Sequence, residues 1–150
     1  MEQLQVGEDL FATVTVVGLT TLLITALAHS YHTYAERKSM YESFDLALDI
    51  ADQLRNDVLA WHENSVYPGL INPMTSEREI QSYSQLLARQ GIGLRVEVRT
   101  LDGKLVLAYG PKPNMLSQYF SPPSSVSFPV AMSQTPASKP LGELIVTVWR

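Results

Sequence analysis

With 150 residues, 11 basic against 15 acidic side chains and a net charge of −4, the chain lacks the cationic surface that non-specific nucleic-acid binding needs. It has no cysteine, which excludes a disulfide framework, a thiolate metal site and a thiol nucleophile. Its length suits one domain, and with the apolar N-terminal stretch and the Pro-rich region near the C-terminus set aside, about 90 residues remain to build one modest core.

Residues 10–29, LFATVTVVGLTTLLITALAH, carry no formal charge apart from a closing histidine. A run of this length matches the hydrocarbon thickness of a bilayer, and Leu10, Phe11, Val14, Val17, Gly18, Leu22, Leu23, Ile24 and Leu27 are read as its membrane or assembly surface. A cleaved secretory signal fits poorly, because MEQLQVGED is acidic where a basic n-region belongs and the apolar run is too long. Thr13, Thr15, Thr20, Thr21 and Thr25 are tolerable in such a helix, since a threonine hydroxyl can bond a carbonyl one turn back. With Gly18 they also supply the small and hydroxylated residues that favour close helix–helix contact in apolar surroundings. An ordinary membrane span and a helix that packs against copies of itself both fit this composition. Tyr31 and Tyr34 follow at the level where interfacial aromatics gather.

No Pro or Gly interrupts the passage into residues 30–63, so one helix over 10–63, roughly 80 Å long at 1.5 Å per residue, is predicted. From Met40 the pattern is two-faced, with Phe44, Leu48, Ala51, Leu54, Val58 and Trp61 predicted to pack against the rest of the domain. The domain division is therefore 1–39 for the apolar helix and 40–150 for the amphipathic half with a small head.

Tyr67-Pro68-Gly69 and Asn72-Pro73 read as a loop. A short helix follows, opened by a Ser76–Glu79 capping box, buried along Ile80, Tyr83, Leu86 and Leu87, and stopped at Gly91. After Gly93 the period becomes two. LRVEVRT points Leu94, Val96 and Val98 inward and Arg95, Glu97 and Arg99 to water, Asp102-Gly103 makes a hairpin turn, and KLVLAYG returns. Seven of the nine prolines fall between 111 and 140, broken by one strand, SVSFPVAM, which Pro129 confines to an edge or a bulge. GELIVTVWR closes the chain as a strand expected inside the sheet. The fold class is α+β: a long N-terminal helix, apolar then amphipathic, packed on a small antiparallel β-sheet.

Chemistry-bearing patterns are sparse. Asp45, Asp49 and Asp52 form a carboxylate stripe, read as a solvated helix face and not a Ca²⁺ site. His29 and His32 share a face at metal-ligand spacing, with no carboxylate or cysteine partner foreseen, and are read as headgroup-level polar residues. No G-x-S-x-G or S-x-x-K setting surrounds a serine, and Gly91-Ile92-Gly93 is too short for a phosphate loop. Trp61, Tyr67, Tyr109, Tyr119, Phe120 and Trp149 are assigned mostly to the core, with Tyr119 and Phe120 the candidates for a recognition surface. Neither an enzyme nor a cofactor is expected.

An apolar then amphipathic helix, a connector and an antiparallel sheet, taken in that order, resemble type IV pilin-like proteins. The closing GELIVTVWR after a Ser/Pro-rich strand most resembles the archaeal pilin-like membrane proteins. The resemblance spans the chain at the level of architecture and implies a structural subunit whose apolar helices bundle in a filament or sit in the membrane, with the head outside the cell. Gly7 stands where such proteins are processed, although no Lys or Arg precedes it, and Ala12 occupies the position where bacterial pilins carry glutamate. Arg37 and Lys38 after the span point the head towards the cytoplasm instead, which suits a single-pass accessory subunit docked on a larger membrane complex. A ligand sensor or enzyme built on the head is a third possibility. Membrane lipid and further copies or other membrane subunits are the expected partners.

Overall fold

The computed structural model describes residues 2–62, 65–112, 115, 122–133 and 140–150. One helix, α1 (Glu2–Gln53), leads into a π-helical turn at Leu54–Val58. Then come β1 (Ala60–His62), β2 (Val66–Ile71), α2 (Pro73–Arg89), β3 (Gly93–Thr100), β4 (Leu105–Tyr109), β5 (Ser124–Met132) and β6 (Leu141–Trp149). The arrangement is α+β, a long N-terminal helix with a mostly antiparallel six-stranded sheet. The chain divides into two compact units, Met1–Ser39 and Met40–Arg150.

In the second unit the strands lie in the order β1-β2-β5-β6-β3-β4, and β2–β5 is the parallel pair. The strand closing the sequence occupies the interior: β6 pairs along its length with β5 on one side and β3 on the other. Leu94, Val96 and Val98 of β3 and Leu144, Val146 and Val148 of β6 point to one face and are buried. Ala47, Ile50, Ala51 and Leu54 join the same core, as do Ile80 and Leu87 of α2. Burial of these side chains, each contributing on the order of 1.5–3 kcal/mol for the larger aliphatics, is what holds this unit together.

Two predicted boundaries move. The helix does not run to residue 63: the Leu59 N–H reaches back to the Leu54 carbonyl at 2.9 Å, and this five-residue spacing widens the last turn into π geometry and ends it. Trp61 consequently lies on β1, paired with Tyr67. Tyr67-Pro68-Gly69 is part of β2 and not a loop. The register slips between Ala60 and Trp61, so Pro68 sits in a bulge where its missing N–H costs nothing, and Gly69 takes the positive φ (75°) of that irregularity.

The start of α2 also differs from prediction. Asn72 is the N-cap, its Oδ1 accepting from the Met74 N–H at 3.1 Å, with Pro73 in the first turn. Ser76 donates its hydroxyl to the Asn72 carbonyl at 2.5 Å instead of forming a capping box. At the other end Ile92 N–H bonds the Leu87 carbonyl and Gly91 N–H bonds the Ala88 carbonyl, with Gly91 at φ 74°. This is a Schellman stop, and Ile92 and Leu87 are both buried. Leu86, expected in the buried stripe, is 55% exposed because the helix turns it past the edge of the core.

Pro129 lies on β5 between two other strands, yet β2 pairs with β5 only at Ala131 and Met132. The side of β5 facing β2 is therefore open at Pro129, which removes the conflict between an interior strand and a residue without an N–H.

Candidate functional site

Between residues 10 and 28 α1 is apolar around its whole circumference. The ten large side chains Leu10, Phe11, Val14, Val16, Val17, Leu19, Leu22, Leu23, Ile24 and Leu27 are each between 59% and 76% exposed. Among the described residues this is a helix long and apolar enough to cross a membrane, with a mean hydropathy of 2.1 over its best window and none of that window buried. Leaving ten such groups in water costs on the order of 15–30 kcal/mol relative to burying them, which exceeds the net stability of an ordinary domain. A cover of lipid or protein over these side chains would remove that cost.

The threonines in this segment make it compatible with such a cover. Thr13, Thr15, Thr20, Thr21 and Thr25 donate their hydroxyls to the carbonyls of Asp9, Phe11, Val16, Val17 and Thr21, each at 2.8 Å. All five hydroxyls are satisfied inside the helix, so the desolvation cost of the segment is lower than its composition suggests. Gly18 has open space where a Cβ would project. Beyond the apolar run, His32 is not without a carboxylate: its Nδ1 lies 3.4 Å from Glu36 Oε1. The i, i+4 spacing brings the two together, a contact that the spacing of His29 and His32 alone does not reveal.

The residues read as the packing stripe fall in different settings. Ala51 and Leu54 are fully buried, Leu48 and Val58 pack half-buried against the core, Phe44 is 46% exposed, and Trp61 is half-buried on β1. Among the aromatics considered for recognition, Trp149 is buried with its ring across Gly93, Tyr109 is half-buried, and Tyr67 is 48% exposed. Tyr119 and Phe120 lie outside the described residues.

The sheet face opposite Leu94, Val96 and Val98 holds a polar cluster of Arg95, Glu97 and Arg99. Arg95 and Glu97 do not face water but are 8% and 5% exposed. The Glu97 carboxylate accepts from Arg95 Nε at 2.8 Å and from Arg95 Nη2, and from Arg99 Nε and Nη2 at 2.9 and 2.5 Å. Arg95 Nη1 donates onward to the carbonyls of Gly110 and Pro111, where the chain leaving β4 crosses the strand. Burial pushes the Glu97 carboxyl up, but the hydrogen bonds and charges of Arg99 and Arg95 outweigh it and hold the group below the usual carboxylate range. With all its lone pairs engaged, the cluster reads as a structural network and offers no free base or nucleophile. Burial raises the Tyr83 phenol, whose hydroxyl donates to Gln53 Oε1 at 2.6 Å. A pocket of about 210 Å³ is lined by Leu59, Ala60, Trp61, His62, Asn72 and Glu79, and it brings no acid–base pair into hydrogen-bonding contact. Among the described residues no three His, Asp or Glu side chains converge on a point where one chain alone would hold a metal.

Compared with known proteins, the chain matches no family profile, no curated protein and no solved structure.

Proposed function

We propose that this protein is a membrane-anchored structural subunit of pilin-like design, held in the bilayer before assembly and associating with its neighbours through the apolar part of α1. The observation carrying this reading is the uncovered segment of ten large apolar side chains whose threonines are internally satisfied. Burying that surface among neighbouring helices supplies the association energy, while residues 40–150, with a core of their own, form the part presented outward. The order of an apolar then amphipathic helix before an antiparallel sheet supports the pilin-like form of the assembly. Removing residues 1–30 is expected to give a soluble monomer by analytical ultracentrifugation. A truncated protein that still polymerises contradicts the mechanism.

Arg37 and Lys38, immediately beyond the span, favour a second reading: a single-pass accessory subunit whose head docks on a larger membrane complex. The mature N-terminus separates the two by mass spectrometry. Cleavage after Gly7 belongs to the pilin route, and an intact Met1 with a head protected inside the cell belongs to the accessory one.

A further inference from the structure

Arg55, the second residue of the π turn, ends where two strands part. β2 and β5 pair only at Leu70–Ala131 and Ile71–Met132. Just before that point the guanidinium lies 5.8 Å from the centroid of the Phe128 ring on β5. It also stands beside Gly69 of β2, where an added Cβ would be 3.4 Å from Nε and Nη2. Its Nε is buried with no acceptor, and among the described residues the guanidinium has no ion pair. The two terminal nitrogens are not buried in this way and so reach solvent. Carboxylates of neighbouring elements are engaged otherwise: Asp52 accepts from Asn56 Nδ2 at 2.7 Å, and Glu143 from the Ser127 hydroxyl at 2.5 Å. A cation held against a ring with its fork unused is complementary to a carboxylate.

The adjoining edge of β5 is open. The Met132 N–H bonds the Pro140 carbonyl and the Ser133 N–H bonds that of Ile71, so alternate residues of β5 address β6 and β2. By that alternation the main-chain groups of Ser125 and Ser127 fall on the β2 side, where no strand pairs with them among the described residues. We propose that this fork binds an extended, carboxylate-bearing segment of a partner protein, which adds to β5 along Ser125 and Ser127 and sets its acidic side chain on Arg55. Main-chain bonds to the open edge supply affinity, and the ion pair supplies selection. An added strand lies about 4.8 Å from β5, and a glutamate on it opposite Phe128 shares the face on which Arg55 covers that ring. The site belongs to residues 40–150 and does not depend on how the apolar part of α1 is covered.

Isotope-labelled full-length protein in detergent micelles tests this by NMR titration with acetyl-Val-Thr-Glu-Thr-Val-amide, its glutamine analogue and acetate. The expected result is that the glutamate peptide shifts the Ser125 and Ser127 amides, and that the glutamine analogue binds about tenfold more weakly. Arg55→Gln lowers affinity for the glutamate peptide by a similar factor and leaves the analogue unaffected, while β3 and β6 amides report an intact fold. Arg55→Lys, which keeps the charge but not the planar fork, falls between the two. Equal binding of the two peptides overturns the role of Arg55. Millimolar peptide that leaves Ser125 and Ser127 unmoved overturns the edge. Acetate that binds at Arg55 as tightly as the peptide overturns the partner strand in favour of a small carboxylate. Shifts at these amides on concentrating the protein alone overturn it in favour of a second copy. None of these results bears on assembly through α1, so the two readings fail separately.

Discussion

Glu97 shows most plainly what a single residue does here. One carboxylate holds two guanidiniums on a covered sheet face, so removing its charge leaves Arg95 buried without its counter-ion. Glu97→Gln is expected to destabilise residues 40–150 by about 3 kcal/mol, read from urea unfolding. The pH dependence follows from the direction of the shift. The folded carboxyl titrates below its unfolded value of about 4.3, so its stabilisation is complete above that pH and is lost as the pH falls through the lower, folded value. Wild-type stability should therefore decline on acidification below about pH 4, and the Glu97→Gln variant should show a flatter profile. Gly93 is equally specific. A Cβ there would stand 2.1 Å from the Trp149 ring, so Gly93→Ala must displace the indole, with an expected loss of about 1–3 kcal/mol in the same measurement.

Among the elements, α1 carries the sharpest expectation. Because the threonine hydroxyls are already bonded to carbonyls, Thr20→Val and Thr21→Val should leave membrane insertion nearly unchanged. Ile24→Lys should disfavour it by about 3–4 kcal/mol in a glycosylation-based insertion assay. If the threonine variants insert much better than the parent, those hydroxyls are not internally satisfied. The elements also show why some of the fold is legible in sequence and some is not. Alternation in β3 and β6 identifies their core-facing residues, because period two is a property of the strand alone. It says nothing of what covers the other face, and so the alternation alone leaves Arg95 and Glu97 facing water. Gly91 announces the end of α2 through a local backbone requirement. No such requirement marks the π turn at Leu54–Val58, and the apolar period continues through Val58 to Trp61, so the change from helix to strand is hidden. The His32–Glu36 contact was readable from i, i+4 spacing, whereas the closure of Arg95 onto the Gly110 and Pro111 carbonyls needed the tertiary fold.

At the scale of the molecule, the sequence separates an apolar segment that needs a cover from a domain with its own core, and each part has a distinct physical demand. The head, with 20 buried hydrophobic residues among those described, satisfies its demand internally. The first unit does not, and that imbalance is the basis for reading the protein as anchored and assembled. The most direct test is to add purified full-length protein, diluted out of detergent, to liposomes and to lipid-free buffer in parallel. The account predicts that it floats with the liposomes through an alkaline wash, and that without lipid it sediments as an oligomer. A full-length chain that stays monomeric and soluble in lipid-free buffer, with residues 10–27 protected from hydrogen exchange no better than free peptide, would contradict it.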